Sequence, residues 1–187
     1  PHTDLRAMDR AIDTRPAGVI VECIQGEGGV HLADDDYLRG LRKLCDQSGA
    51  LLIIDEIQTG VARTGRLWAY QHYGIEPDIM TLAKALANGV PIGAMLTRED
   101  IASVLIAGTH GSTFGGTPFV ASVALATLTT LIGERIPERA ARVGRYVMGQ
   151  LRGLATKRPG VREIRGRGLL GGLGLGLFFA PWLYDPL

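Results

Sequence analysis

Three apolar runs in this sequence end in polar residues able to do chemistry. "AGVIVECIQG" leads into Gln25-Gly26-Glu27, "LLII" leads into Asp55-Glu56, and "MTLA" leads into Lys84. Lysine is among the residues least often buried without a partner. Here its neighbours are Leu82 and Ala83 on one side and Ala85, Leu86 and Ala87 on the other. A lysine desolvated by such flanks gives up its proton more readily and becomes a nucleophile able to form a Schiff base. The plain alternative is a strand-end lysine reaching back to water. Only three lysines occur, Lys43, Lys84 and Lys157, and arginine carries nearly all the remaining positive charge.

"LLIIDE" has three readings. Four apolar residues before Asp-Glu also describe the metal-binding strand of a phosphate-loop NTPase, but G-x-x-x-x-G-K-[ST] is missing here and none of the lysines follows a glycine. Asp55 could merely cap the next turn. The third reading is a strand-end carboxylate paired with a cationic ligand. Pyridoxal phosphate chemistry requires a Schiff-base lysine and an acid that keeps the pyridine nitrogen protonated. Lys84 and Asp55 would supply both from the ends of neighbouring strands. "HGSTFGGTP" (110–118) places the Ser112 and Thr113 hydroxyls beside glycines, just ahead of a helix start, which suits a phosphate. It reads equally as a plain polar loop. "GRGLLG" (166–171) is formally G-x-G-x-x-G, but more glycines follow at once and no acid lies at the expected distance, so it is no dinucleotide fingerprint.

The elements that must position these residues follow from pattern. Residues 17–26 and 51–57 read as buried strands, and 78–86 and 91–96 as two more. Residues 34–50 read as a helix, with Leu38, Leu41, Leu44 and Cys45 at helical spacing, aspartates as cap candidates and Gly49 closing it. A helix is expected over 98–108. A longer one starts at Pro118 with Thr117 as its cap, and another follows it. The chain is expected to be an α/β fold with a mostly parallel sheet buried on both faces and helices flanking it. In such sheets ligands gather at the carboxyl ends of the strands, which is where the three polar sites fall.

Bulk properties narrow the function. The chain has 187 residues, 46% hydrophobic and 21% charged, enough for a core of its own and unlike a disordered segment. A net charge of +1 gives no electrostatic case for nucleic acid or an anionic membrane. Cys23 and Cys45 lack CxxC spacing or a nearby histidine pair, so they read as buried thiols of a reducing compartment, with no metal site expected. No signal-peptide pattern opens the chain. The uncharged stretch 168–183 is glycine-rich and shorter than the ~20 apolar residues of a spanning helix.

Together, "VECIQGEGGV", "LLIIDEIQTGVARTGRLWAYQHYGIEPDIMTLAKALANGVPIGAML" and "GTHGSTFGGTPF" resemble the class III aminotransferases, fold-type-I pyridoxal phosphate enzymes that act on ω-amino groups. The resemblance runs from about Ala17 to about Gly174. It implies that Lys84 binds the cofactor aldehyde and shuttles the proton, and that Asp55 faces the pyridine nitrogen. It also implies that Gln58 lies near the phenolic oxygen and that Thr113, with Ser112 beside it, reaches the cofactor phosphate of a neighbouring subunit in a homodimer. Glu27 matches an acid that pairs with a substrate-carboxylate arginine and swings between paired and released states. Glu22 is left a structural role.

Within the class, the motifs look most like the members acting on N-acetylornithine. The resemblance then implies an amino-acid donor, 2-oxoglutarate as acceptor, and a cytoplasmic step of arginine biosynthesis. Enzymes acting on ornithine, succinylornithine, 4-aminobutyrate or glutamate semialdehyde remain open alternatives, as does an inactive remnant. The expected domains are 1–134, the C-terminal half of a cofactor-binding large domain, and 135–187, the start of a small C-terminal domain. About half of the family's chain is expected to be missing, with its substrate arginines and the aromatic that stacks on the ring. Cys23 stands where the family usually has proline. The tail "GLGLGLFFAPWLYDPL" departs from the family, and with Phe178, Phe179 and Trp182 it is expected to be a liability in water. The chain alone is expected to be poorly stable.

Overall fold

The apolar run Leu51–Asp55 (β4) alternates sides as a strand must, and the structure rests on that alternation. The structure is a computed structural model that describes residues 3–12, 17–158 and 160–175. β4 lies between β1 (Gly18–Val21) and β5 (Ile79–Leu82), parallel to both, and β6 (Ala94–Thr97) closes the sheet antiparallel to β5. The order is β1-β4-β5-β6.

Register assigns the faces. Ile54 pairs with Met80, so Leu52, Ile54, Met80 and Leu82 share one side, and all are 0–6% exposed. Burying each such side chain stabilises by about 1.5–3 kcal/mol. α2 (Asp35–Ser48) covers β4 with Leu38, Leu41 and Cys45, and the residues around Tyr73 complete that cluster. Asp35 and Asp36 complement the positive end of α2, and Gly49 stops it at φ 76°, a left-handed position glycine adopts without steric cost. Asp34 and Thr117 occupy their cap positions without making a side-chain cap bond. α4 (Pro118–Gly133) covers β5 through Ala124.

The expectation of burial on both faces is not met. The opposite side carries Ile20, Ile53, Asp55, Thr81 and Met95, aligned by register, and nothing among the described residues closes it: Ile20 is 64% exposed and Met95 50%. One set of helices covers one face. The run 17–26 also divides. β1 ends at Val21, Cys23 and Ile24 turn into the core, and β2 (Ile24–Gln25) pairs antiparallel with β3 (His31–Leu32). The helix expected over 98–108 shrinks to α3 (Glu99–Ala102), because Val104, Leu105 and Ile106 find no surface to bury against and stay exposed.

A short helix α1 (Leu5–Ala11) packs on α2. α5 (Ile136–Ala155) leads to a hairpin of β7 (Val161–Arg167) and β8 (Leu170–Leu175). The hairpin tip docks tightly. A Cβ on Gly144 of α5 would lie 2.2 Å from the Gly168 carbonyl oxygen, and Leu169 N–H donates to the Arg63 carbonyl at 2.9 Å. The formal G-x-G-x-x-G is therefore a hairpin turn. The divergent tail beyond Leu175, with Phe178, Phe179 and Trp182, lies outside the described residues.

Candidate functional site

Asp55 ends β4 on the open face, the parity opposite to Ile54. Its Oδ1 accepts from Ile57 N–H at 2.9 Å and from Thr81 Oγ1 at 3.2 Å, which fixes the half-buried carboxylate. Its Oδ2 makes no hydrogen bond to the described residues. A cleft of about 510 Å³ adjoins it, lined also by Ile20, Glu22 and Gln25.

Glu56, the next residue, points the other way and is 1% exposed. It accepts from Thr59 Oγ1 at 2.6 Å and from Tyr70 N–H at 2.9 Å. Burial pushes its carboxyl above the usual range, and the hydrogen bonds only partly offset this. Glu56 thus ties the turn after β4 to the core, while Asp55 faces the cleft.

Gln58, on that turn, reaches across to the β2–β3 turn and donates from Nε2 to Glu27 Oε1 at 2.9 Å. Glu27 is exposed and Gln58 half-buried. Glu22 accepts from Gly26 N–H at 3.2 Å, so the acid given only a structural role holds this turn.

Lys84 leaves β5 at its carboxyl end, next to the strand that ends in Asp55. The sequence suggested a strand through 86, but β5 stops at Leu82. Ala83 is extended, Lys84 takes φ 47°, and residues Lys84–Ala87 form one tight helical turn. Leu86 and Ala87 root that turn in the core, which leaves the lysine facing outward. Lys84 is exposed, so the small apolar flanks do not desolvate it among the described residues. A left-handed conformation for a non-glycine residue costs on the order of 1–3 kcal/mol and is concentrated at functional sites.

Ser112 and Thr113 stand apart in an exposed loop, and Ser112 lines a hollow of about 920 Å³ with Met95, Leu96 and Thr97 of the edge strand β6. Ser112 Oγ accepts from Gly115 N–H at 2.9 Å, a bond within the loop itself. The structure therefore brings together Asp55, Gln58 and Glu27, sets Lys84 at the adjacent strand end, and leaves Ser112 and Thr113 two strands away. Sequence reasoning missed Thr81, Gly26 and Glu56 as supports. The alternation of β4 alone would have separated an outward Asp55 from an inward Glu56.

Among the described residues no group of His, Cys, Asp or Glu is arranged to hold a metal ion. No single helix there is long and apolar enough to cross a membrane.

Residues 2–176 match the Aminotransferase class-III family. The chain is 46% identical over 175 residues to an acetylornithine aminotransferase of Methanocaldococcus jannaschii, covering 94% of this chain and 44% of that protein. It is 49% identical over 180 residues to a succinylornithine transaminase of Yersinia pseudotuberculosis, covering 95% and 43%. The ornithine aminotransferase of Toxoplasma gondii, whose structure has partial occupancy of PLP at its active site, superposes with a TM-score of 0.91. There the identity is 46%, over 94% of this chain and 42% of that one. The chain spans less than half the length of these relatives.

Proposed function

We propose, from the premise that this chain belongs to the class III aminotransferase family, that it carries the lysine and ring-acid half of a pyridoxal phosphate site for ω-amino group transfer. The observation that carries the reading is the placing of Lys84. It is held in a left-handed backbone at the end of β5, beside the strand whose end presents a fixed Asp55 carboxylate with one oxygen open. The donor set fits the cofactor: an amine for its aldehyde, a carboxylate for a protonated ring nitrogen, and an amide at Gln58 for a ring oxygen. Pyridoxal 5′-phosphate, when bound, supplies an aldehyde for the substrate amine and a ring that withdraws electrons.

The chain's own residues supply the rest. Asp55 would accept the ring N–H through Oδ2, its Oδ1 being engaged already. Lys84 would hold the cofactor through Nζ, and once free of it carry a proton at Nζ between the substrate carbon bearing nitrogen and the cofactor carbon. The proposed net reaction converts N-acetylornithine and 2-oxoglutarate to N-acetylglutamate 5-semialdehyde and glutamate, a cytoplasmic step of arginine biosynthesis. Succinylornithine and ornithine are the competing donors, in keeping with the names of the relatives. Ser112 and Thr113, exposed and remote from Asp55, suit a phosphate held by a second copy, so the working unit is proposed to be a homodimer. The proposed boundary between large and small domains falls near residue 134, where α4 and α5 meet at 67°.

The test is cofactor trapping. The purified chain, incubated with pyridoxal phosphate and reduced with borohydride, should give one modified peptide, at Lys84, lost in Lys84→Ala. Diffuse labelling of Lys43, Lys84 and Lys157 would overturn the reading. A second reading, a segment inactive without further polypeptide, is favoured by the open sheet face. It predicts a Lys84 adduct without transamination.

A further inference from the structure

We infer that Gly26 and Gln58 are positioning residues for Glu27: together they form a latch that fixes one oxygen of its carboxylate against the turn that follows Asp55. The inference rests on the aminotransferase reading for what the latch does, but not for whether it exists. Three features carry it.

The first is the bond itself, Gln58 Nε2 to Glu27 Oε1 at 2.9 Å, between turns 31 residues apart in sequence. The second is the surface beneath Gln58. A Cβ on Gly26 would lie 2.4 Å from Gln58 Oε1 and 2.6 Å from its Cδ, so the amide rests on the bare α-carbon of Gly26. Gly26 does not have a left-handed backbone, unlike Gly29 in the same turn at φ 109°. A side chain at position 26 would therefore push the Gln58 amide aside without straining the turn's backbone. The third is the unequal footing of the two ends. Gln58 stands on a turn pinned by Ile57 N–H to Asp55 and by buried Glu56 to Thr59 and Tyr70. Glu27 sits exposed on a turn held by the Glu22–Gly26 bond and by Gly29 N–H to the Gly26 carbonyl at 3.2 Å. An amide on a pinned turn thus holds an exposed carboxylate.

The consequence is charge selection. With Oε1 engaged, Glu27 keeps Oε2 for a cationic group, as an amine donor or an arginine would offer. A dicarboxylate acceptor is repelled until Glu27 turns away. The Gln58 amide then has a free N–H to donate to the incoming carboxylate. Gln58 therefore has a partner in both states, and neither state strands an unpaired amide.

The experiment uses the protein labelled with ¹⁵N in its five glutamine side chains, Gln25, Gln47, Gln58, Gln71 and Gln150. The Gln58 amide, assigned through Gln58→Asn, should exchange with solvent about tenfold more slowly than a free side-chain amide. Glu27→Ala, an exposed change that threatens no core contact, should remove that protection. Gly26→Ala should remove it too, by displacing the amide without altering either residue of the pair. Gln71, whose oxygen accepts from Trp68 N–H at 3.2 Å, reports that the fold survives.

Where transamination is measurable, Gly26→Ala and Glu27→Ala should shift the ratio of donor to acceptor KM in the same direction, by on the order of tenfold. The double variant should shift it no further than either alone. An unprotected Gln58 amide in the wild type, or one that ignores both variants with Gln71 intact, overturns the latch. So do additive KM shifts. A wild type that gives no single borohydride-trapped adduct at Lys84 instead sinks the proposed cofactor site, and the amide signal still decides the latch.

Discussion

The turn after β4 and the loop before α4 are both short, polar and glycine-bearing, yet they are held in opposite ways. The β4 turn is locked from three sides. Asp55 is bonded to its own turn and to β5, Glu56 is buried and bonded to Thr59 and Tyr70, and Gln58 is bonded across to Glu27. The 109–117 loop makes its side-chain bonds within itself or to the residues just before it: Thr109 with the Ile106 carbonyl and His110, and Ser112 with Gly115. A site needing sub-ångström placement belongs on the first kind of support. The proposed ring-facing residues therefore stand on a frame bonded to the core, whereas the 109–117 loop has no such side-chain bonds to the sheet among the described residues.

The largest test of that contrast is Lys84→Ala, expected to abolish the borohydride-trapped adduct entirely, whereas Thr113→Ala leaves its position on the peptide map unchanged. An adduct that survives Lys84→Ala would remove the chemical meaning of the locked region. Next comes the frame beneath it. Asp78, 5% exposed, accepts from Leu52 N–H and Arg42, each at 2.7 Å, and pairs with Arg98. Burial alone would raise its carboxyl, but those partners outweigh burial and hold it below the usual range. Asp78→Ala leaves the Leu52 amide unpaired and takes from Arg42 one of its two carboxylate partners, Asp46 remaining at 2.7 Å, and should cost about 2 kcal/mol, read by urea denaturation. A loss near zero would mean that β4 and β5 do not depend on this pair.

The sequence showed some of this and hid the rest, for identifiable reasons. α2, β4 and α4 were legible because apolar periodicity, first-turn acids, Pro118 and Gly49 agree on them locally. Asp55 and Lys84 were legible because strand ends are where a mostly parallel sheet places ligands. The break of 17–26 after Val21 was not, since no glycine or proline marks Glu22-Cys23. The exposure of Lys84 was not, because it follows from Leu86 and Ala87 taking the inward positions of a turn that reads locally as strand. The open sheet face was invisible too, as an apolar strand does not record whether its second face has a partner. The Gln58–Glu27 bond joins two turns that no local pattern connects.

Acid sensitivity sharpens the same comparison. His72 lies against the locked region, its Nε2 3.2 Å from the Thr64 carbonyl and 3.1 Å from Thr64 Oγ1. Burial pushes its imidazole down, and the charge of Arg167 adds to this, to about 4. A base whose folded value lies below its ordinary 6.5 contributes stability that is present above pH 6.5. That stability is lost as the pH falls through the folded value. Melting temperature should therefore decline between pH 6.5 and 4, and His72→Asn should flatten that decline by about 1 kcal/mol once solvent screening is allowed for. An unchanged slope in the variant would place the acid sensitivity elsewhere.

The smallest effect is expected in the loop, and it is the one that separates support from function. Ser112 is exposed and its hydroxyl accepts only from Gly115 N–H, a group solvent can satisfy as well. Ser112→Ala should change stability by less than about 0.5 kcal/mol. If the loop serves a phosphate, the same variant should weaken pyridoxal phosphate retention while pyridoxal, which lacks the phosphate, reacts with Lys84 as before. Equal weakening for both compounds would instead make the loop a contributor to the locked region, and the contrast between the two turns would dissolve.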